Sequence, residues 1–253
     1  MNINFIIAKI TYHPRILIEY LIFQFIKNDW SILDKFRNKE VLIVGNGPSL
    51  NETNLERIDG VHIGMNKINL IFDRKKWRPD IIVCVNGLVL KQNKEFFNTT
   101  EIVLILPIKA LFLGIKRRKN IIFIRSRSKF RFFSHLKSGL TPGATVTTNA
   151  LQLASTLSAT KVNIVGVDHN FSFKGNKHEI KKMETDDVNH FDKNYFKGNL
   201  WGLPDLDGSE KSYMLAKEYF DSQKIPIIDY TINGKLTVFP KGDINLIYNK
   251  TLS

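Results

Sequence analysis

The chain has 253 residues, of which 43% are hydrophobic, enough to bury a sizeable core without disulfides or metal staples. Its one cysteine, Cys84, excludes an intramolecular disulfide and suits a reducing compartment. The formal net charge of +13 directs attention to anionic partners: nucleic acid, anionic lipid, or a phosphorylated or sugar-acid substrate.

The start, Met1-Asn2-Ile3-Asn4-Phe5, lacks a basic region, and no small-residue cleavage site follows, so no secretory signal is expected. Ile16 to Ile26 is the most apolar stretch, but Glu19 and Gln24 interrupt it and Lys27 closes it. A bilayer span needs about 20 consecutive apolar residues, so this segment is read as an amphipathic helix rather than a crossing one. Two readings stand side by side. The segment lies on a membrane with Lys9, Arg15, Lys27, Lys35 and Arg37 toward the headgroups, or it packs on its own domain or a partner chain. The boundary falls near Asn38, giving an N-terminal segment 1–38 and an α/β domain 39–253.

Beyond it, Val41 to Val44 is a short apolar run closed by a glycine turn, the pattern of a buried parallel strand. Asn51 to Arg57 reads as a short helix, and Val61 to Gly64, Ile81 to Val85, Ile102 to Leu106 and Ile121 to Ile124 as strands. Cys84 sits in one of these runs and is read as buried. Lys116 to Lys119, then Arg125, Arg127, Lys129 and Arg131, are interleaved with Phe123, Phe130, Phe132 and Phe133. That mixture suits base stacking, a membrane surface, a solvated face or a lid; no RNA-binding module surrounds it, so nucleic acid is not expected as a partner. Thr145 to Leu157 is the clearest helix, Lys161 to Asp168 a strand with a polar exit, and Glu210 to Ser222 another helix. Pro226 puts the last strand, Ile225 to Asp229, near an edge. Strands alternating with helices predict a Rossmann-like α/β fold, its mostly parallel sheet covered on both faces.

Open parallel sheets bind ligands at the carboxyl ends of their strands. The first strand ends in Gly45-Asn46-Gly47-Pro48-Ser49, the second reaches Asn66, and the third Asn86. Glycines permit close backbone approach to a phosphate or sugar, and an amide both donates and accepts. Three successive strand ends carrying asparagine read as one polar pocket. Thr141 and Gly143 lead into the clear helix, whose positive end suits an anion or is simply capped by Thr141 or Thr145. Asp168 is placed to hold a ribose hydroxyl, an acceptor hydroxyl or a metal, or else only to form a turn. The loop from Glu184 to Asp207 is rich in reactive side chains, and His190 is its candidate general base because histidine titrates near neutral pH. The spacing of His169, His178 and His190 matches no tight zinc site, so no structural metal is expected.

Together these motifs resemble the bacterial sialyltransferases that decorate lipooligosaccharide with CMP-activated sialic acid on a Rossmann-like domain. The strongest match is Val41 to Leu50, with Asn66 and Asn86 where that family carries asparagines, and Val162 to Asp168 like its strand ending in a Gly-Ile-Asp type motif. The chain departs from it at Gly139-Leu140, where the family has arginine, and at Asn170-Phe171, where it has tyrosine. Asp207-Gly208-Ser209 stands at the family's late histidine, while His190-Phe191 matches an earlier histidine-aromatic pair. The same Gly-Asn-Gly-Pro-Ser block is similar to 6-hydroxymethylpterin diphosphokinase-like proteins and their surface-polysaccharide relatives. In those relatives Asn189-His190-Phe191-Asp192 and Gly234 to Phe239 also have counterparts.

The first resemblance implies a glycosyltransferase that moves a sialic-acid-like or other keto-sugar acid from a CMP donor to a surface glycan or lipid-linked acceptor. In that scheme Asn46, Asn66 and Asn86 hold the nucleotide and donor, Thr141 and Gly143 set a helix end against phosphate or carboxylate, and His190 is the base. Tyr195 or Lys197 stabilises the departing phosphate. No cofactor is required, with magnesium permitted, and the protein acts in the cytoplasm or on the inner face of the cytoplasmic membrane. The second resemblance implies ATP, magnesium and a pterin, with Asp168, Asp186 and Asp187 as metal ligands. A non-catalytic basic module on membrane or nucleic acid is the remaining alternative.

Overall fold

The computed structural model describes residues 14, 16–172 and 175–249. A helix over residues 16–25 (α1) and a 3-10 helix at Trp30–Phe36 precede the first strand. Then follow β1 (Glu40–Val44), β2 (Val61–Met65), β3 (Ile81–Val83), α2 (Gly87–Gln92), α3 (Lys94–Thr99), β4 (Val103–Pro107), α4 (Lys109–Phe112) and β5 (Ile121–Ile124). The second half supplies α5 (Val146–Thr156), β6 (Lys161–Val165), β7 (Ile180–Lys182), β8 (Leu200–Gly202), α6 (Leu206–Ser222) and β9 (Ile227–Asp229).

Seven strands form one parallel sheet in the order β5-β4-β3-β2-β1-β6-β9, and β7 and β8 form a separate antiparallel ribbon. The continuous apolar runs are explained by burial on both faces. Along β1, Val41 and Ile43 join one core with Ala150 and Leu153 of α5 and Phe220 of α6. Leu42 and Val44 point the other way, into a core with Leu50, Leu55 and Val89. The fold is thus the expected α/β sheet covered on both faces, Cys84 is buried, and β9 takes the expected edge.

The residues predicted as a helix at 51–57 form two 3-10 turns, Pro48–Asn51 and Leu55–Arg57, because Asn54 between them has non-helical φ and ψ of −89° and 86°. The sixth strand stops at Val165, short of the expected Asp168, because Gly166 turns the chain with φ of 69°.

The N-terminal segment is less separate than its sequence suggests. Leu33 and Phe36 are buried in the main core, so the stretch 30–36 belongs to the domain. Ile22, Phe23 and Ile26 pack inward, and Glu19 is buried with Oε2 accepting from Ser126 N at 2.8 Å. Asn28 acts as a one-residue partner for the free edge of β5: its Nδ2 donates to Phe123 O and its Oδ1 accepts from Phe123 N, both at 2.9 Å. An edge strand with bare N–H and C=O groups invites pairing with other chains, and this contact blunts it. Met1 to Phe5, Lys9 and Arg15 lie outside the described residues. No helix among the described residues is long and apolar enough to cross a membrane.

The basic–aromatic stretch after β4 turns most of its rings inward. Phe123 and Phe133 are buried, with the guanidinium groups of Arg127 and Arg131 over the Phe133 ring at 4.9 and 4.5 Å. Phe132 packs against the core, and Phe130 is exposed.

Candidate functional site

Strand β1 is the point where the sheet order reverses, with β2 on one side and β6 on the other. A cleft of about 440 Å³ opens at the carboxyl ends of the strands there, a size suited to a small-molecule ligand.

Its floor is the contact between two strand exits. Gly45 N donates to Val165 O and Gly47 N to Gly166 O, both at 2.8 Å. A Cβ on Gly45 would lie 2.1 Å from the backbone Gly166 O, which calls for glycine there, and one on Gly47 would lie 1.8 Å from Asp168 Oδ2, so that carboxylate would have to move. Asp168 then clamps the turn: Oδ1 accepts from Ser49 N at 3.0 Å and Oδ2 from Ser49 Oγ at 2.8 Å. Burial pushes the Asp168 carboxyl above its ordinary range, and the Ser49 bonds oppose that rise. Gly45, Asn46 and Gly47 line the cleft, whereas Pro48 and the buried Ser49, expected there from the sequence, do not: Pro48 opens a 3-10 turn and Ser49 is held by Asp168.

All three asparagines line it as well. Asn46 Nδ2 donates to Met65 O at 3.1 Å, which fixes the amide and leaves Asn46 Oδ1 buried without a partner. Asn66, in a left-handed conformation with φ of 52°, also carries a buried unpartnered Oδ1. Buried acceptors without a protein partner are met by ordered water or by a ligand's donor, and these two face the cleft. Asn86 differs: its Oδ1 caps α2, accepting from Leu88 N and Val89 N at 2.9 and 3.4 Å.

Gly143 to Thr147, leading into α5, form one wall, with Thr145 Oγ capping the helix by accepting from Thr147 N at 3.2 Å. Thr141 is not part of that wall. It is buried, with Oγ accepting from Phe133 N, its N–H donating to Gln152 Oε1 and its carbonyl accepting from Asn149 Nδ2. It holds the loop to the helix, and the helix end meets the cleft through Gly143 and its successors.

The opposite wall comes from the long loop. Phe191 N donates to Asn46 O at 2.9 Å and Asn51 Nδ2 donates to Phe191 O at 3.0 Å, which sets the preceding His190 beside the glycine turn. His190 Nδ1 lies 2.9 Å from Oδ2 of the buried Asp187, and the imidazole stacks on Tyr195 at 4.1 Å and 8°. Tyr195 is itself buried beneath that ring, its Oη accepting from Lys67 N at 3.1 Å. Lys67 Nζ donates to Tyr195 O at 2.7 Å, and burial pulls that ammonium down to about 8. Tyr195 therefore supports His190 from beneath and does not line the cleft. Lys197 is likewise displaced from its expected place: it pairs with Asp186 at 2.6 Å outside the cleft.

Sequence reasoning missed Asp187 as the partner of His190, although the spacing of three residues was its signal. It also missed two further imidazole–carboxylate pairs in which the histidine lines the cleft. His169 meets Glu210 at 3.0 Å, and His178 meets Asp205 at 3.2 Å. Among the described residues, none of those lining the cleft is Lys or Arg, so the charge of the chain resides elsewhere.

The sequence profile described as 6-hydroxymethylpterin diphosphokinase MptE-like matches residues 22–174, more than half of the chain. The chain belongs to the MptE-like family. The match spans the glycine turn, the three asparagines and Asp168 of this MptE-like chain, and it stops before the His190 loop. No curated protein matches the chain. The solved structure of the MAf glycosyltransferase from Magnetospirillum magneticum AMB-1 is similar in fold, with a TM-score of 0.54 at 12% identity over 87% of this chain. This chain spans 38% of that one.

The magnesium ligand set that a diphosphokinase reading assigns to this MptE-like chain is not assembled. Asp168 is taken by Ser49, Asp187 by His190 and Asn189 N, and Asp186 by Lys197. No three His, Cys, Asp or Glu side chains among the described residues gather as a metal site.

Proposed function

We propose that this MptE-like chain is a glycosyltransferase that moves a sialic-acid-like or other keto-sugar acid from a CMP-activated donor to a surface glycan or lipid-linked acceptor. The observation that carries this reading is the pairing, in one cleft, of two orphaned amide oxygens with an oriented imidazole. Asn46 Oδ1 and Asn66 Oδ1 both call for donors, which the cytosine amine and sugar hydroxyls supply. With Nδ1–H donating to Asp187, Nε2 of His190 is left as the basic nitrogen, the tautomer a general base needs. As the acceptor hydroxyl oxygen bonds to the anomeric carbon, its proton passes to Nε2. The bond from that carbon to the CMP phosphate oxygen breaks, and its electron pair leaves on the phosphate. With no lysine or arginine among the described lining residues, that charge is stabilised through the positive end of α5 and its neighbouring N–H groups. The similar fold of a glycosyltransferase supports the architecture alone. A nucleotide-sugar donor and an unpaired thiol fit a cytoplasmic site of action.

The diphosphokinase activity in the family's description is the second reading, favoured by the profile match itself. The carboxylates this reading assigns to magnesium have separate hydrogen-bond partners in the fold. A basic non-catalytic module would need no such cleft.

The test is release of CMP from a CMP-activated keto-sugar acid in the presence of a glycan acceptor. His190→Ala is expected to lower turnover by about two to four orders of magnitude while donor affinity stays nearly unchanged. Asp187→Asn lowers turnover too and alters its pH profile. Near-normal turnover by His190→Ala, or pyrophosphoryl transfer from ATP to a pterin, contradicts the proposal.

A further inference from the structure

Outside the cleft, α1 is apolar on two faces. Its inner stripe, Ile22 and Phe23, continues through Ile26 into the core, and Glu19, the one charged residue between positions 16 and 26, is turned inward. The outer stripe consists of Leu17, Ile18, Leu21 and Phe25, exposed by 58, 50, 50 and 81%. These positions fall on one side at helical spacing, so they form a continuous apolar ridge rather than scattered surface residues.

Where the helix ends, the surface changes sign. Lys27, Arg117, Arg118 and Lys119 line a recess of about 320 Å³, and Arg117 Nη2 donates to Lys27 O at 3.4 Å, joining the basic run to the end of the helix segment. Asp29 also lines the recess, and its carboxylate is occupied by Ser31 N and Ser31 Oγ at 3.1 and 2.5 Å. Lys116, Arg117 and Lys119 precede β5, at the amino end of the parallel sheet, so the recess lies at the end opposite the cleft.

From this geometry we propose that the α1 ridge and the adjoining basic recess form a docking surface for an anionic lipid bilayer. The ridge enters the acyl boundary, and the recess takes phosphate headgroups, the combination by which interfacial helices bind. Charge complementarity selects this occupant. A second copy would bring another cluster of like sign, whereas an anionic leaflet satisfies both features at once. The cleft then stays open at the other end of the sheet.

The test is sedimentation of the full chain with phosphatidylcholine vesicles, with and without phosphatidylglycerol. Binding is expected only to the anionic vesicles and falls with salt. Phe25→Ser with Leu21→Ser removes the ridge, and Arg117→Glu with Lys119→Glu lowers partitioning by at least about tenfold, since each basic residue near an anionic surface adds roughly fivefold. Both double variants change exposed positions, and an unaltered unfolding midpoint is the check on their folding. Failure to bind anionic vesicles, or binding indifferent to both changes, overturns the proposal. So does a concentration-dependent dimer that Phe25→Ser dissolves, which would assign the ridge to a second copy. Binding that inorganic phosphate abolishes while the ridge variant leaves it intact would assign the recess to a free anion, and also overturns it.

Discussion

Gly47 shows how tightly single residues constrain this site. A methyl there would fall 1.8 Å from the Asp168 carboxylate, displacing the group that holds both Ser49 N and Ser49 Oγ. Gly47→Ala should therefore lower stability by roughly 1–3 kcal/mol, as overpacking does, and weaken ligand binding as well. Urea unfolding with and without nucleotide reads both effects. His62 offers a second residue-level outcome. Trp77 Nε1–H donates to its Nδ1 at 2.5 Å, so Nε2–H donates to Ile58 O at 2.8 Å and the ring is held neutral. Burial pulls its pKa below the ordinary value, with Asp80 opposing. A histidine depressed in the folded state contributes stability above its unfolded pKa, lost as pH falls through the folded one. Stability should thus decline as pH drops below about 6.5, and a His62→Leu variant should show a shallower slope, with His135, also depressed by burial, contributing the remainder. The sequence showed the glycine turn, the asparagines and His190 as residue types at strand ends and in a loop. It could not show that Tyr195 and Thr141 point inward, because residue identity carries no side-chain direction. Nor could it show that Lys197 is engaged by Asp186.

At the scale of elements, the apolar strand runs and the clear helix at α5 were legible because burial on both faces and a sharp threonine cap leave strong local patterns. The 51–57 stretch was not, since the ties that settle it are tertiary: Lys75 Nζ donates to Thr53 O at 2.9 Å, and Tyr248 Oη accepts from Asn54 N at 3.1 Å. The tie between Asn28 and β5 was likewise hidden, as it joins residues 95 positions apart. Asn28→Ala leaves Phe123 N–H and C=O without that partner. It should cost roughly 1–3 kcal/mol in chemical denaturation and raise aggregation during refolding by light scattering. An unchanged unfolding midpoint and clear solutions would show that β5 is protected by other means.

For the whole molecule, the positive charge and the site occupy different places. The basic run lies along the β5 flank, while the described residues that line the cleft at the β1–β6 switch are rich in amides, glycines and paired histidines and include no lysine or arginine. Net charge directs attention to anionic partners but says nothing about how the site would hold a ligand. In the proposed reading the amino end of α5 does that, a feature of backbone geometry that composition cannot reveal. The central claim is that this cleft accepts a cytidine nucleotide, and ligand-induced thermal stabilisation tests it most directly. CMP, UDP, GDP, ADP and ATP are compared with and without magnesium, where a ligand at about a hundredfold its Kd stabilises by ~2.7 kcal/mol. CMP should give the largest rise in Tm without magnesium, and Asn46→Ala should abolish that rise. A preference for ATP with magnesium, or a CMP shift untouched by Asn46→Ala, would contradict it.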